Sequence, residues 1–185
     1  GRQVAPVPEQ ARREGGERLA QFEAKLIAAS ATVSRLSSMD ALPDALAESL
    51  RERNLPRAIR MGEAPDLAGL DWGATEVSRG PGRREEPATL SRGFRGIAET
   101  GTLLLRSGPE NPVTLTFLGE THFVVLRASE VLGGLEDAMA AAREAGAMPR
   151  TLNFVTGPSR SADIGATLQL GAHGPKALHV FLVED

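Results

Sequence analysis

The chain has 185 residues, 41% of them apolar and 24% charged, the make-up of an ordinary globular domain long enough to bury its own core. It contains no cysteine, which excludes disulfides, thiolate nucleophiles, cysteine-type zinc sites and iron–sulfur clusters held by its own thiolates. Its 21 basic and 24 acidic residues leave a net charge of −3, and only 4% of residues are aromatic, so neither a basic field nor a set of stacking rings points to nucleic acid.

Residues 1–16, with Pro6, Pro8 and the charged run Arg12, Arg13, Glu14, suggest a flexible N-terminal arm, or else a lead-in to the next element, ahead of one domain over 17–185. This polar start lacks the apolar core of a signal peptide, and no stretch approaches the roughly 20 apolar residues of a membrane span. The expectation is a soluble, cytoplasmic protein. Leu19, Phe22, Leu26 and Ile27 recur at helical spacing and predict a helix over Glu17 to Ala31. A strand from Ala31 to Leu36, a helix from Asp44 to Arg53 led by Leu42-Pro43, and a strand from Arg57 to Met61 follow.

Gly62 to Gly96 is rich in proline and glycine and carries Arg79, Arg83, Arg84, Arg92 and Arg95, broken by Glu85 and Glu86. It is expected to be surface loop with a solvated charge face; a lid or a docking face for an anionic partner is the functional alternative. Three short apolar runs then predict core strands: Thr102 to Arg106, Val113 to Gly119 and Thr121 to Arg127. Ser129 offers an N-cap for a helix that places Val131, Leu135, Met139 and Ala142 on one face and stops at Gly146. A strand over Asn153 to Thr156, a helix over Arg160 to Leu170 and a strand over Lys176 to Val183 complete the pattern. Strands alternating with helices imply an α/β fold with an open, mostly parallel, Rossmann-like sheet flanked by helices.

Three segments could carry chemistry. In Thr156 to Gly165 (TGPSRSADIG), a turn between strand and helix would point backbone N–H groups, the hydroxyls of Ser159 and Ser161 and the guanidinium of Arg160 at one spot, an anion site. A plain helix cap, with Asp163 answering the helix dipole, uses the same residues. In Gly171 to Pro175 (GAHGP), glycines on both sides of His173 leave its imidazole open to a ligand, or simply exposed in a turn. In Gly96 to Thr102 (GIAETGT), Glu99 and Thr100 stand at a strand entry beside a turn at Gly101. A buried-edge carboxylate there could bond ribose, a hydroxy acid or a neighbouring helix terminus, and turn chemistry alone is the alternative. His179 and His122 lie in strands and are expected to be structural. The three histidines have no zinc spacing, and no Walker, Gly-x-Gly-x-x-Gly or Gly-x-Ser-x-Gly motif occurs.

Taken together, IAETGT, TGPSRSADI and GAHGP running into LHV resemble the lactate-utilisation protein C or LUD-domain family, over about half the chain from Gly96 onward. The resemblance implies a fold similar to the CoA-transferase and ribose-phosphate-isomerase superfamily. It also implies a role in oxidising L-lactate to pyruvate with two iron–sulfur partner proteins, a division of labour that a cysteine-free chain fits. The motif positions it carries over are Glu99, Thr100, Gly101, Gly157, Ser159, Arg160, Asp163, His173 and Gly174. Ser161 stands where the family more often has threonine, and Gly165 where a glutamate is common, which puts in doubt any role that needs paired acids. On this reading His173, Glu99 and Asp163 are the catalytic candidates. Thr100, Gly101, Gly157, Ser159, Arg160, Ser161 and Gly174 would then bind a small carboxylate or phosphate. No metal or cofactor is expected on this chain itself. The competing expectation is a binding or regulatory module without turnover.

Overall fold

The structure, a computed structural model, describes residues 9–81, 86–108, 111–112, 120–146, 152–158 and 176–184. In chain order the elements are α1 (Glu9–Ala28), β1 (Thr32–Leu36), α2 (Leu42–Glu52), β2 (Ala58–Met61), the single turn α3 (Pro65–Ala68), β3 (Glu76–Arg79), β4 (Ala88–Arg92), β5 (Arg95–Ile97), β6 (Thr102–Arg106), β7 (Thr121–Arg127), β8 (Val131–Leu132), α4 (Leu135–Glu144), β9 (Leu152–Val155) and β10 (Ala177–Val183). Among the described residues, one sheet has six strands in the order β1-β10-β7-β4-β2-β3, every pair parallel. A second sheet, β8-β5-β6-β9, is mixed. The α/β fold with a parallel sheet is therefore present, accompanied by a smaller sheet that the hydropathy pattern does not announce.

The centre of the large sheet is built by the two most continuous apolar runs. Phe123 to Leu126 on β7 and Val180 to Val183 on β10 are buried whichever way they point, as expected of a parallel sheet covered on both faces. Phe123, Val125, Phe181 and Val183 meet Leu42, Leu46 and Leu50 of α2. Val124, Leu126, Val180 and Leu182 meet Phe22 and Leu26 of α1 and Leu103 and Leu105 of β6. Ile97, Leu104 and Leu152 on the small sheet pack against Ala138 and Ala142 of α4. Each fully buried side chain of this size stabilises by roughly 1.5–3 kcal/mol, so the two sheets and their helices are held as one unit.

Helix ends are closed by local chemistry. At the end of α2 the Leu55 N–H donates to the Leu50 carbonyl at 2.9 Å and the Asn54 N–H to Arg51 at 3.0 Å, with Asn54 in the left-handed region at φ 56°. This double bond pattern is a Schellman closure. α1 ends the same way: Ala31 N–H reaches Leu26 O at 3.0 Å, Ser30 N–H reaches Ile27 O at 2.9 Å, and Ser30 sits at φ 73°.

Several expectations change. Of the two readings of the N-terminal segment, arm or lead-in, residues 9–16 follow the second: they are the first turns of α1. The proline- and glycine-rich stretch is not all loop, for it supplies β3, β4 and most of β5, and β4 lies inside the large sheet between β7 and β2. The helix expected from Ser129 begins only at Leu135 with Gly134 as its N-cap, because Val131 pairs with Gly96 in β8 and turns its side chain into the core. The strand expected over Val113 to Gly119 and the helix over Arg160 to Leu170 lie outside the described residues. No described helix is long and apolar enough to cross a membrane.

The direction in which strands are added to the sheet reverses between β2 and β4. The carboxyl end of β2 leads outward to β3, while that of β4 leads, through the small sheet, to β7 on its other side. Such a switch point leaves a crevice outside the strand ends, the place where open α/β sheets commonly take ligands.

Candidate functional site

Two of the three sequence motifs meet at the carboxyl end of α1. Gly101 closes a tight turn, its N–H donating to Ile97 O at 2.9 Å, and adopts φ +68°. A Cβ there would stand 2.6 Å from Lys25 Cβ and 2.9 Å from Leu26 N. Gly157, at φ +76°, presses on the same helix end, where a Cβ would lie 2.3 Å from the Ala29 carbonyl oxygen. Both positions need glycine for backbone angle and for space. Between them runs a chain of hydroxyls: Thr100 Oγ1 and Thr102 Oγ1 share a hydrogen bond of 2.8 Å, and Thr102 Oγ1 and Thr156 Oγ1 another of 2.8 Å. Thr102 is buried, while Thr100 and Thr156 are exposed at either end. The chain can present a donor or an acceptor to a bound oxygen, because each hydroxyl can do either.

Glu99 points elsewhere. It is exposed, and its Oε1 accepts the Leu135 N–H at 3.4 Å at the start of α4, where Gly134 offers no capping side chain. A carboxylate at a helix N-terminus answers the orphan N–H groups and the dipole. Of the options for Glu99, the helix terminus is the one the structure describes. Ser159, Arg160, Ser161, Asp163, His173 and Gly174 lie outside the described residues.

The other two histidines serve the sheet. His122 Nε2 and Ser91 Oγ are 2.8 Å apart; His179 Nδ1 is 2.6 Å from Thr32 Oγ1 and its Nε2 2.9 Å from Ser34 Oγ. Burial pushes the His122 imidazole down to about 3. Burial, aided by the nearby positive charge of Arg53, pushes His179 down to about 4. Both are therefore neutral near pH 7.

Sequence reasoning missed a further feature, at the switch point. Arg92, expected on a solvated face, ends β4 with its side chain mostly buried. Its Nε donates to Asp66 Oδ2 at 2.7 Å, and its two terminal nitrogens donate to Glu130 at 2.8 and 3.1 Å. Glu130 also accepts the Arg127 N–H at 2.8 Å. Burial opposes the charge on Arg92, but the bonds to Glu130 and Asp66 outweigh it and hold the guanidinium above its ordinary pKa. The network ties α3, the end of β4 and the turn after β7 together. The available sequence signal was the strand ATLSR closing on Arg92-Gly93.

Fold and site thus define a doubly covered α/β protein with a parallel sheet, two of its three sequence motifs gathered on one helix end. The LUD domain family model matches residues 19–183, and the chain belongs to that family. It is 37% identical over 106 residues to lactate utilization protein C of Geobacillus kaustophilus, covering 54% of this chain and 44% of that protein. It is 32% identical over 109 residues to lactate utilization protein C of Bacillus subtilis, covering 56% and 45%. The matched stretches thus span less than half the length of these curated relatives. In architecture it is similar to the crystal structure of a DUF162 family protein from Deinococcus radiodurans, with a TM-score of 0.70 at 23% identity over 96% of this chain and 99% of that one.

Proposed function

We propose that the protein is a component of a lactate-utilisation system, supporting oxidation of L-lactate to pyruvate together with iron–sulfur partner proteins in the cytoplasm. The observation that carries this is the 37% identity to a lactate utilization protein C. The meeting of Gly101 and Gly157, one from each of two motifs, on the end of α1 supports it. Oxidising the C2 carbinol of lactate releases two electrons and two protons. In this reading the electrons pass to clusters on the partner chains, because this chain has no cysteine to hold one. Arg160, with Ser159, Ser161 and the backbone at Gly157, would hold the lactate carboxylate by charge-assisted bonds. His173 would accept the hydroxyl proton, with Asp163 and Gly174 beside the ligand and the hydroxyls that begin at Thr100 at its rim.

The test is deletion of the gene in a strain with no other lactate oxidase. Growth on L-lactate should cease, return with the wild-type gene, and fail to return with Arg160→Ala or His173→Asn. Iron–sulfur proteins should co-purify with the tagged chain from lactate-grown cells. Unchanged growth of the deletion strain refutes the role. A second reading, a binding or regulatory module without turnover, is favoured by one observation: the Glu99 carboxylate is occupied by the start of α4. For that reading, a phosphate-bearing ligand at 100 times its dissociation constant should raise stability by about 2.7 kcal/mol while lactate and pyruvate leave it unchanged.

A further inference from the structure

Beyond the carboxyl edge of the large sheet, where β4 ends at Arg92 and β7 at Arg127, lies a cavity of about 730 Å³. Arg92 lines it but is already neutralised by Glu130 and Asp66. Arg95 of β5 is held by its own neighbours, Nη1 donating to the Phe94 carbonyl at 2.6 Å and Cζ standing 4.4 Å from the centre of the Phe94 ring. From α4 come Asp137, Ala140, Ala141 and Glu144, whose spacing places them on one helix face. Arg18 of α1 and Asp137 are placed differently from the rest. The point where a Cβ of Gly133 would stand is 3.9 Å from Arg18 Nε and 3.9 Å from Asp137 Oδ2, so the two charges are no more than twice that distance apart. Among the described residues no ion pair joins them, and neither pairs with another charged side chain. The space between them stays open because residue 133 has no side chain. Its backbone is fixed, the Gly133 carbonyl accepting the Glu99 N–H at 3.1 Å and the Leu132 carbonyl the Ala98 N–H at 2.8 Å. A cation and a carboxylate held apart over a rigid floor suit a guest that is anionic at one end and carries hydrogen-bond donors at the other.

We propose that this cavity binds a free phosphomonoester whose organic part carries hydroxyl groups. Its phosphate sits on Arg18, within the field of Arg95 and Arg127, its hydroxyls donate to Asp137, and its carbons lie along Ala140 and Ala141. A phosphomonoester carries nearly two negative charges at pH 7.5 and three acceptor oxygens, which matches several guanidinium groups better than a carboxylate does. The cavity has the volume of a small-molecule site and exceeds what a bare phosphate fills. None of the residues assigned to lactate above takes part, so the assignment stands or falls independently of the lactate-utilisation role.

Amide-resolved NMR titration of the intact chain at pH 7.5 tests it with three probes: sn-glycerol 3-phosphate, propyl phosphate, which lacks the hydroxyls, and glycerol, which lacks the phosphate. Glycerol 3-phosphate should shift the Ser129, Gly133 and Gly134 amides. Propyl phosphate should shift the same amides at about tenfold lower affinity or worse, and glycerol should shift none. Arg18→Ala should weaken both phosphates by about tenfold or more, and Asp137→Ala should bring the two to equal affinity. Gly133→Leu keeps every charge and fills the gap. Gly133 is not among the glycines at positive φ, and nothing lies closer than 3.9 Å to a Cβ there, so this variant should fold as the wild type does and lose binding. No shift at these amides, shifts that both Arg18→Ala and Gly133→Leu leave in place, or equal binding of the two phosphates to the wild type would each overturn the assignment. A preference for glycerol 3-phosphate that survives Asp137→Ala would overturn it as well.

Discussion

Acidification from pH 7 to pH 5 should weaken this fold through two histidines. His122 and His179 have folded pKa values of about 3 and about 4, both below the ordinary 6.5. At pH 5 the unfolded chain therefore takes up a proton at each position that the folded chain refuses. The sign follows: stability is intact above about pH 6.5 and falls as the pH drops through 6.5 toward the folded values. At 1.36 kcal/mol per pH unit, each histidine costs roughly 2 kcal/mol at pH 5, about 4 kcal/mol for the pair. That is a large share of a typical total of about 5–15 kcal/mol. Urea unfolding followed by far-ultraviolet circular dichroism at pH 7.5, 6 and 5 measures it. The control is the double variant His122→Gln/His179→Gln, whose amides can still meet the Ser91, Thr32 and Ser34 hydroxyls but do not titrate. Carboxylates contribute equally to both proteins, so the difference in slope belongs to the histidines. A wild type that loses less than about 1 kcal/mol over this range, or a double variant that falls as steeply, would refute the argument.

Other outcomes follow from the same geometry. Gly157→Ala should lower stability by at least about 2 kcal/mol in urea titration, since the positive φ alone costs roughly 1–2 kcal/mol and the new Cβ meets the Ala29 carbonyl at 2.3 Å; a change within about 0.5 kcal/mol contradicts this. Glu130→Ala should cost about 2–3 kcal/mol, somewhat under the 3–5 kcal/mol of a fully buried pair, because the Arg92 and Glu130 side chains keep 15% and 18% exposure. Asp66→Ala, at a carboxylate 35% exposed, should cost less than Glu130→Ala, and the reverse order would contradict Glu130 as the stronger partner of Arg92. Thr102→Val, nearly equal in shape, should cost about 1–2 kcal/mol by interrupting the hydroxyl chain. Thr100→Val, at the exposed end, should stay within about 0.5 kcal/mol.

What was legible in the sequence is what a parallel core makes conspicuous. THFVVLR and ALHVFLV are apolar on both faces and stand out as strands without knowledge of their partners. β4 is equally central, yet it alternates Ala88 and Leu90 on one face with Thr89 and Ser91 on the other, and all four are buried. Ser91 is satisfied by His122, a neighbour 31 residues away that no local pattern shows. Polar residues in a proline- and glycine-rich setting then resemble a solvated loop. Arg92 was misplaced for the same reason, because its burial depends on Asp66 arriving from α3 and Glu130 from the turn after β7. β5 and β8, three and two residues long, are too short to carry a period and exist as strands only through pairing.

The motif residues were legible for a steric reason, and the surface that unites them was not. Gly101 and Gly157 lie in segments far apart in the chain, yet both adopt positive φ and both stand where a Cβ would strike the last turn of α1. That turn is shaped by its own closure, in which Ser30 takes φ 73° and the Ile27 and Leu26 carbonyls are bonded by Ser30 and Ala31. The Ala29 carbonyl is then the backbone atom that meets Gly157. The two motifs are thus cast against one helix end that belongs to neither, and the Thr100–Thr102–Thr156 hydroxyl chain bridges the gap between the two glycines. Changing the helix end should therefore disturb both motifs together. A larger side chain at Ala29, whose Cβ already lies 3.2 Å from the Gly157 Cβ position, acts on the site without being part of any motif.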